Sequence, residues 1–90
     1  MLSNKQRKAL LRASQPMLEH YGAIDLDIIP TIGKHPYALV AFDSATVVRV
    51  NRVPNTSSTP ARFIAQNILK AARAALNQNM PTACYGGGKG

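Results

Sequence analysis

Residues 32–53 read Ile32-Gly33-Lys34-His35-Pro36-Tyr37-Ala38-Leu39-Val40-Ala41-Phe42-Asp43-Ser44-Ala45-Thr46-Val47-Val48-Arg49-Val50-Asn51-Arg52-Val53. Two runs rich in β-branched and aromatic residues flank a polar break at Asp43-Ser44, which predicts an antiparallel hairpin, because such side chains suit a pleated surface and Asp-Ser can close a tight turn. In the second run Val48 and Val50 share a parity, and Arg49 and Asn51 share the other. One face of the hairpin therefore belongs to a core and the other is polar and cationic.

Working outward, Ile24, Leu26 and Ile28 alternate with Asp25 and Asp27 and stop at Pro30, the pattern of a half-buried strand with its acids in water. On the N-terminal side, Ser3 is a candidate N-cap for a helix over residues 4–21. Its apolar side carries Leu10, Leu11, Ala13, Met17, Leu18 and Tyr21, and its polar side Lys5, Lys8, Arg12, Gln15 and Glu19. Pro16 removes a backbone donor inside this pattern and predicts a kink or break near Ser14, with the continuing apolar phase favouring a kink. Gly22 is the expected helix stop, and His20 an expected cap of the last carbonyls.

Beyond the hairpin, residues 53–59 form a loop by composition, and Thr59-Pro60 reads as N-cap and first-turn residue of a second helix over residues 60–77. At 100° per residue, Arg62, Gln66, Lys70, Arg73 and Asn77 fall in one wedge. Ile64, Ala65, Ile68, Leu69, Ala72, Ala75 and Leu76 take the other side. Residues 80–90, ending in Gly86-Gly87-Gly88-Lys89-Gly90, have nothing to bury and read as a flexible Gly-rich tail after a single domain at 1–79. The expected fold is thus a two-layer α+β domain of order α-β-β-β-α. Its three-stranded antiparallel sheet has both helices on one face and buries Ile24, Leu26, Ile28, Val48, Val50, Ile64, Ile68 and Leu69.

Ninety residues suit one small domain with a modest core. Eleven Lys and Arg against four Asp and Glu give a formal charge of +7, which points to a polyanionic partner. All four acids lie between Glu19 and Asp43, so both ends are cationic. The lone Cys84 makes no internal disulfide, and with two His the chain is too poor in ligands for structural zinc, which fits a reducing, cytoplasmic setting. No run approaches the roughly 20 apolar residues of a membrane span, and no internal repeat is visible.

No cofactor motif is present either. The terminal Gly-Gly-Gly-Lys-Gly lacks the Ser or Thr and the following helix of a phosphate-binding loop. Asp25 and Asp27 have no third ligand nearby for a metal and serve solubility, and nothing positions a base beside Cys84. The wedge of the second helix contains no acid, whereas a merely solvated face mixes signs for i,i+4 support. Arg62, Gln66, Lys70 and Arg73, with Lys34 and Arg49 of the hairpin, are therefore the candidate nucleic-acid contacts, and a solvated face is the alternative. His35, exposed at the hairpin mouth beside Lys34, suits a general base, and a plain surface histidine is its alternative.

The order helix-strand-strand-strand-helix is the layout of the double-stranded-RNA-binding fold. Local motifs over about residues 24–70 resemble one branch of it, the HicA-like toxins of bacterial toxin-antitoxin pairs. Gly33-Lys34-His35 resembles their Gly-Ser-His at the start of the second strand, with Lys34 in place of the small hydroxyl residue. Val53-Pro54, Phe63 and Ile68-Leu69-Lys70 are similar to the rest of the pattern. The resemblance implies an RNA-binding protein in which His35 carries messenger-RNA cleavage, with an acidic antitoxin-like partner. The residues themselves leave open a non-catalytic nucleic-acid binder and an interaction protein whose cationic faces dock an acidic protein.

Overall fold

A computed structural model describes residues 2–86. It is an α+β domain in the order α1 (Asn4–Ser14), two 3-10 turns (Gln15–Met17 and Glu19–Tyr21), β1 (Asp25–Ile29), β2 (Tyr37–Ala41), β3 (Val47–Asn51), α2 (Ala61–Asn77) and β4 (Thr82–Cys84). The sheet runs β1-β2-β3-β4, with β1, β2 and β3 antiparallel and β4 parallel to β3. It is therefore a four-stranded mixed sheet and not the three-stranded antiparallel one expected.

Register explains which face is the core. Leu26 pairs with Val40 and Val40 with Val48, while Ile28 pairs with Ala38 and Ala38 with Val50. All six are buried, because residues in register on antiparallel strands present their side chains to the same face. Ile64, Ile68 and Leu69 of α2 and Leu10 of α1 join them in one cluster. Ile24 departs from the expected core and is 63 % exposed. It precedes β1, where the chain enters the sheet through a hydrogen bond from its N–H to Ala41 O (2.9 Å), so its shared parity with Leu26 no longer implies cover.

The hairpin connection is longer than a two-residue Asp-Ser turn. Phe42 N–H donates to Thr46 O (2.9 Å) and Asp43 Oδ1 accepts from Ala45 N–H (2.8 Å). This acceptor role, followed by a bond with the Thr46 side chain, holds the exposed Asp43 carboxyl below its ordinary value. At the far end of β3, Arg52 takes a left-handed φ of 63°. This turn just past β3 redirects the chain so that Val53 rather than residue 52 is buried, with Val53 N–H bonded to Pro36 O (2.9 Å).

The helix signals resolve in detail. Ser3 and Gln6 form a reciprocal capping box at the start of α1. At Pro16 the helix breaks into the two 3-10 turns instead of kinking, and buried Ser14 satisfies its hydroxyl by donating to Leu11 O (2.8 Å). Gly22, with φ +71°, ends the second turn, its N–H bonding to Glu19 O and that of Ala23 to Leu18 O. Backbone donors thus cap the last carbonyls in place of His20, whose ring meets Tyr21 edge-on at 4.9 Å. The second helix starts one residue late, with Pro60 and not Thr59 as its N-cap.

The segment read as a tail supplies β4. Asn79 takes the left-handed conformation (φ 55°), Met80 N–H bonds back to Ala75 O (2.8 Å), and the chain returns beside β3. Parallel pairing needs a crossover, and α2 is that crossover. Ala83 pairs with Val50, and Tyr85 N–H donates to Asn51 O (2.9 Å). Both Ala83 and Tyr85 pack on the core, so the domain extends past residue 79. The final part of the expected tail, residues 87–90, lies outside the described residues.

Candidate nucleic-acid interface

Both α-helices pack on the inner face of the sheet and against each other, so their outward sides form a second surface parallel to it. On α1 the spacing of Lys5, Lys8 and Arg12 keeps them on the side opposite buried Leu10 and Ser14, and all three are exposed. On α2, exposed Arg62, Gln66, Lys70 and Arg73 lie opposite the buried Ile64, Ile68 and Ala72. Neither helix contains an acid. The fourth cation of α1, Arg7, is committed elsewhere: it wraps the edge of β1, donating from Nε to Ile28 O and from Nη2 to Asp27 Oδ1, both at 2.7 Å.

Two of the α2 cations are braced. The Arg62 guanidinium sits 4.9 Å from the centre of the Phe63 ring. That of Arg73 lies 5.8 Å from the Phe42 ring, and its Nη1 is 3.1 Å from where a Cβ on Gly22 would stand. Pro60 offers no side-chain cap, and in the first turn of α2 the Phe63 N–H donates to Pro60 O (3.1 Å), which leaves the amides of Ala61 and Arg62 to face an anion. Lys5, Lys8 and Arg12 were legible as a helical stripe, but only the side-by-side packing of the helices makes them one surface with α2.

Arg49 belongs to a different surface. It lies on the open face of the sheet, 3.6 Å from the Tyr37 ring centre, and its Nε donates to Asn51 Oδ1 (2.8 Å). With the sheet between them, Arg49 and the α2 wedge cannot contact one flat stretch of ligand. The six expected nucleic-acid contacts thus divide into Arg62, Gln66, Lys70 and Arg73 on the helical layer, Arg49 on the open sheet face, and Lys34 in the β1–β2 loop.

In that loop, Thr31 Oγ1 reaches Lys34 O (2.8 Å) and His35 O (3.1 Å), and Gly33 takes φ +72° with open space around it. His35 is exposed at the border of two shallow grooves. One, of about 360 Å³, is lined by Thr31, Gly33, Lys34, His35 and Pro36. The other, of about 260 Å³, is lined by Leu2, His35, Pro36, Val53, Pro54 and Asn55. Lys34 is thus the cation beside the imidazole. Neither groove includes a carboxylate to orient the ring or an arginine of α2.

Among the described residues no three His, Cys, Asp or Glu side chains gather as metal ligands, and no helix is long and apolar enough to cross a membrane. Asp25 bonds the N–H of Leu26 and Asp27 pairs with Arg7, so the two acids do not converge on one point. Comparison with known proteins finds no matching family model, no matching curated protein and no matching solved structure.

Proposed function

We propose that this protein is a small cytoplasmic nucleic-acid-binding domain that lays a phosphate backbone along the outer face of its helical layer. One observation carries the reading: six exposed cations, Lys5, Lys8, Arg12, Arg62, Lys70 and Arg73, share that layer with no acid on either α-helix. The 17-residue α2 spans about 25 Å, enough to follow several phosphates. RNA is favoured over DNA by the resemblance of Gly33-Lys34-His35 and its flanking motifs to HicA-like toxins.

The test is binding of labelled RNA across a salt series. Arg62→Ala, Lys70→Ala and Arg73→Ala should each lower the slope of log K against log salt by roughly 0.7 to 0.9, while Arg49→Ala, on the opposite face, should leave it unchanged. A triple variant that binds as tightly as the native protein would overturn the proposal. An acidic antitoxin-like protein would dock on the same cations and compete with RNA.

The second reading, histidine-dependent ribonuclease activity, is favoured by the exposed position of His35 beside Lys34 in a loop pinned by Thr31. His35 takes the proton of a ribose 2′-hydroxyl, O2′ attacks the adjacent phosphate, the 5′-oxygen leaves, and Lys34 stabilises the charge that builds on the phosphoryl oxygens. Proton transfer of this kind supplies about 10² to 10⁴-fold. Single-stranded RNA should then be cleaved with chelator present, DNA of the same sequence should survive, and His35→Ala and His35→Gln should be inactive. Intact RNA in every lane leaves binding alone.

A further inference from the structure

Beside the cationic wedge, the two 3-10 turns and the start of α2 enclose a groove of about 340 Å³ lined by Pro16, Met17, His20, Tyr21, Arg62, Phe63 and Gln66. Its chemistry differs from the rest of the helical layer. Phe63 is 45 % exposed although it is a large aromatic on an otherwise polar helix face. Tyr21 is half-buried against the core, with the His20 ring set edge-on to it at 87°. Arg62 is drawn over the Phe63 ring, and Gln66 stands one turn further along α2. Flat apolar surface, a side-chain amide and a guanidinium thus line a single concave site, at the small end of the roughly 300–1,000 Å³ range of ligand pockets.

We propose that this groove is a subsite for one unpaired nucleobase of a single strand, a proposal that rests on the nucleic-acid reading above and narrows its substrate. The base stacks on the aromatic surface of Phe63 and Tyr21, as bases do on aromatic platforms in single-strand-binding proteins. The Gln66 amide, which both donates and accepts, bonds to the Watson–Crick edge of the base. Arg62 takes the phosphate on its 3′ or 5′ side and leads the strand toward Lys70 and Arg73. A base held in a duplex cannot present its face to Phe63, so the subsite selects single-stranded nucleic acid over a duplex of the same sequence.

The proposal is tested with a short single-stranded RNA carrying 2-aminopurine, whose emission falls when the base stacks, and with the same strand annealed to its complement. The native protein should quench the single strand at saturation and leave the duplex signal unchanged. Phe63→Leu, on an exposed position that keeps an apolar side chain, should lose most of the quench and weaken binding by about 5- to 150-fold, the range measured for loss of one stacked base. Gln66→Ala should keep the quench and flatten the preference among bases. Lys70→Ala should weaken binding yet leave the quench at saturation intact, which separates the two readings. Tight binding without quench, an undiminished quench in Phe63→Leu, or preference for the duplex overturns the subsite and leaves the phosphate reading standing. No binding of either form overturns both.

Discussion

Ending the chain after Pro81 should destabilise the domain, although the sequence marks residues 82–86 as dispensable. The magnitude follows from what β4 contributes. Its ladder to β3 spans Arg49↔Thr82, Val50↔Ala83 and Asn51↔Cys84, flanked by Arg49 N–H to Pro81 O and Tyr85 N–H to Asn51 O. Backbone bonds contribute about 0.5–1.5 kcal/mol each, and ordering each residue costs about 1–2 kcal/mol, so the ladder by itself is near balance. The net gain comes from side chains: Ala83 covers the flank of Val50, and Tyr85 packs on the core with its hydroxyl accepting from Asn67 Nδ2 at 3.3 Å. Burying about half of a tyrosine and an alanine is worth roughly 2 kcal/mol. For a domain of this size that is a fall in Tm of about 8–16 °C. Thermal unfolding followed by circular dichroism, with a chain ending at Gly86 as the reference, reads the difference directly. Tyr85→Ala should reproduce about half of it. A shift under about 2 °C for the truncation would refute the reasoning and return the segment to the status of a tail.

Further outcomes follow from local geometry. Arg7→Ala should cost about 1 kcal/mol in chemical denaturation by releasing Ile28 O and Asp27; because both side chains are partly exposed, a cycle with Asp27→Asn should give a coupling of at most about 0.5–1 kcal/mol. Gly22→Ala places a Cβ at φ +71° and 3.1 Å from Arg73 Nη1, so it should lower stability by about 1–2 kcal/mol and displace the Arg73 side chain, seen as a shifted guanidinium resonance. Asp43 has a lowered pKa in the fold, so its hairpin bonds stabilise the protein above its ordinary value of 3.8 and are lost as pH falls through the lower folded value. Asp43→Asn should therefore flatten the acid limb of the Tm–pH curve below about pH 4, and an unchanged limb would show that the loop bonds do not titrate.

The start of the first helix, the Gly22 stop, the two strands of the hairpin and most of the core were legible because each is written in a local pattern. Ser3 carries a side-chain oxygen suited to an N-cap, Gly22 admits a left-handed φ that other residues resist, and Val48 and Val50 alternate with Arg49 and Asn51 over a full strand. Candidate contacts were legible one element at a time in the same way: the wedge of Arg62, Gln66, Lys70 and Arg73 is a property of a single helix. Pro16 showed that the first helix is disturbed, but the choice between kink and break depended on what the following turns pack against.

Sequence alone determined the α+β class, the inner faces of the strands and the unmixed charge of both helices, since period and composition act within one element. Only the tertiary structure decided three things. Thr82-Ala83-Cys84 is too short for a period of its own and becomes a strand because α2 returns the chain to the free edge of β3. Ile24 shares the parity of Leu26 yet is exposed, because burial requires cover and not only phase. Arg49 is as cationic as Arg62 but lies on the far side of the sheet, whereas Lys5, Lys8 and Arg12 join α2 across the helix pair. Which charges share a surface is set by how elements stack, and stacking arises from contacts between residues far apart in the chain.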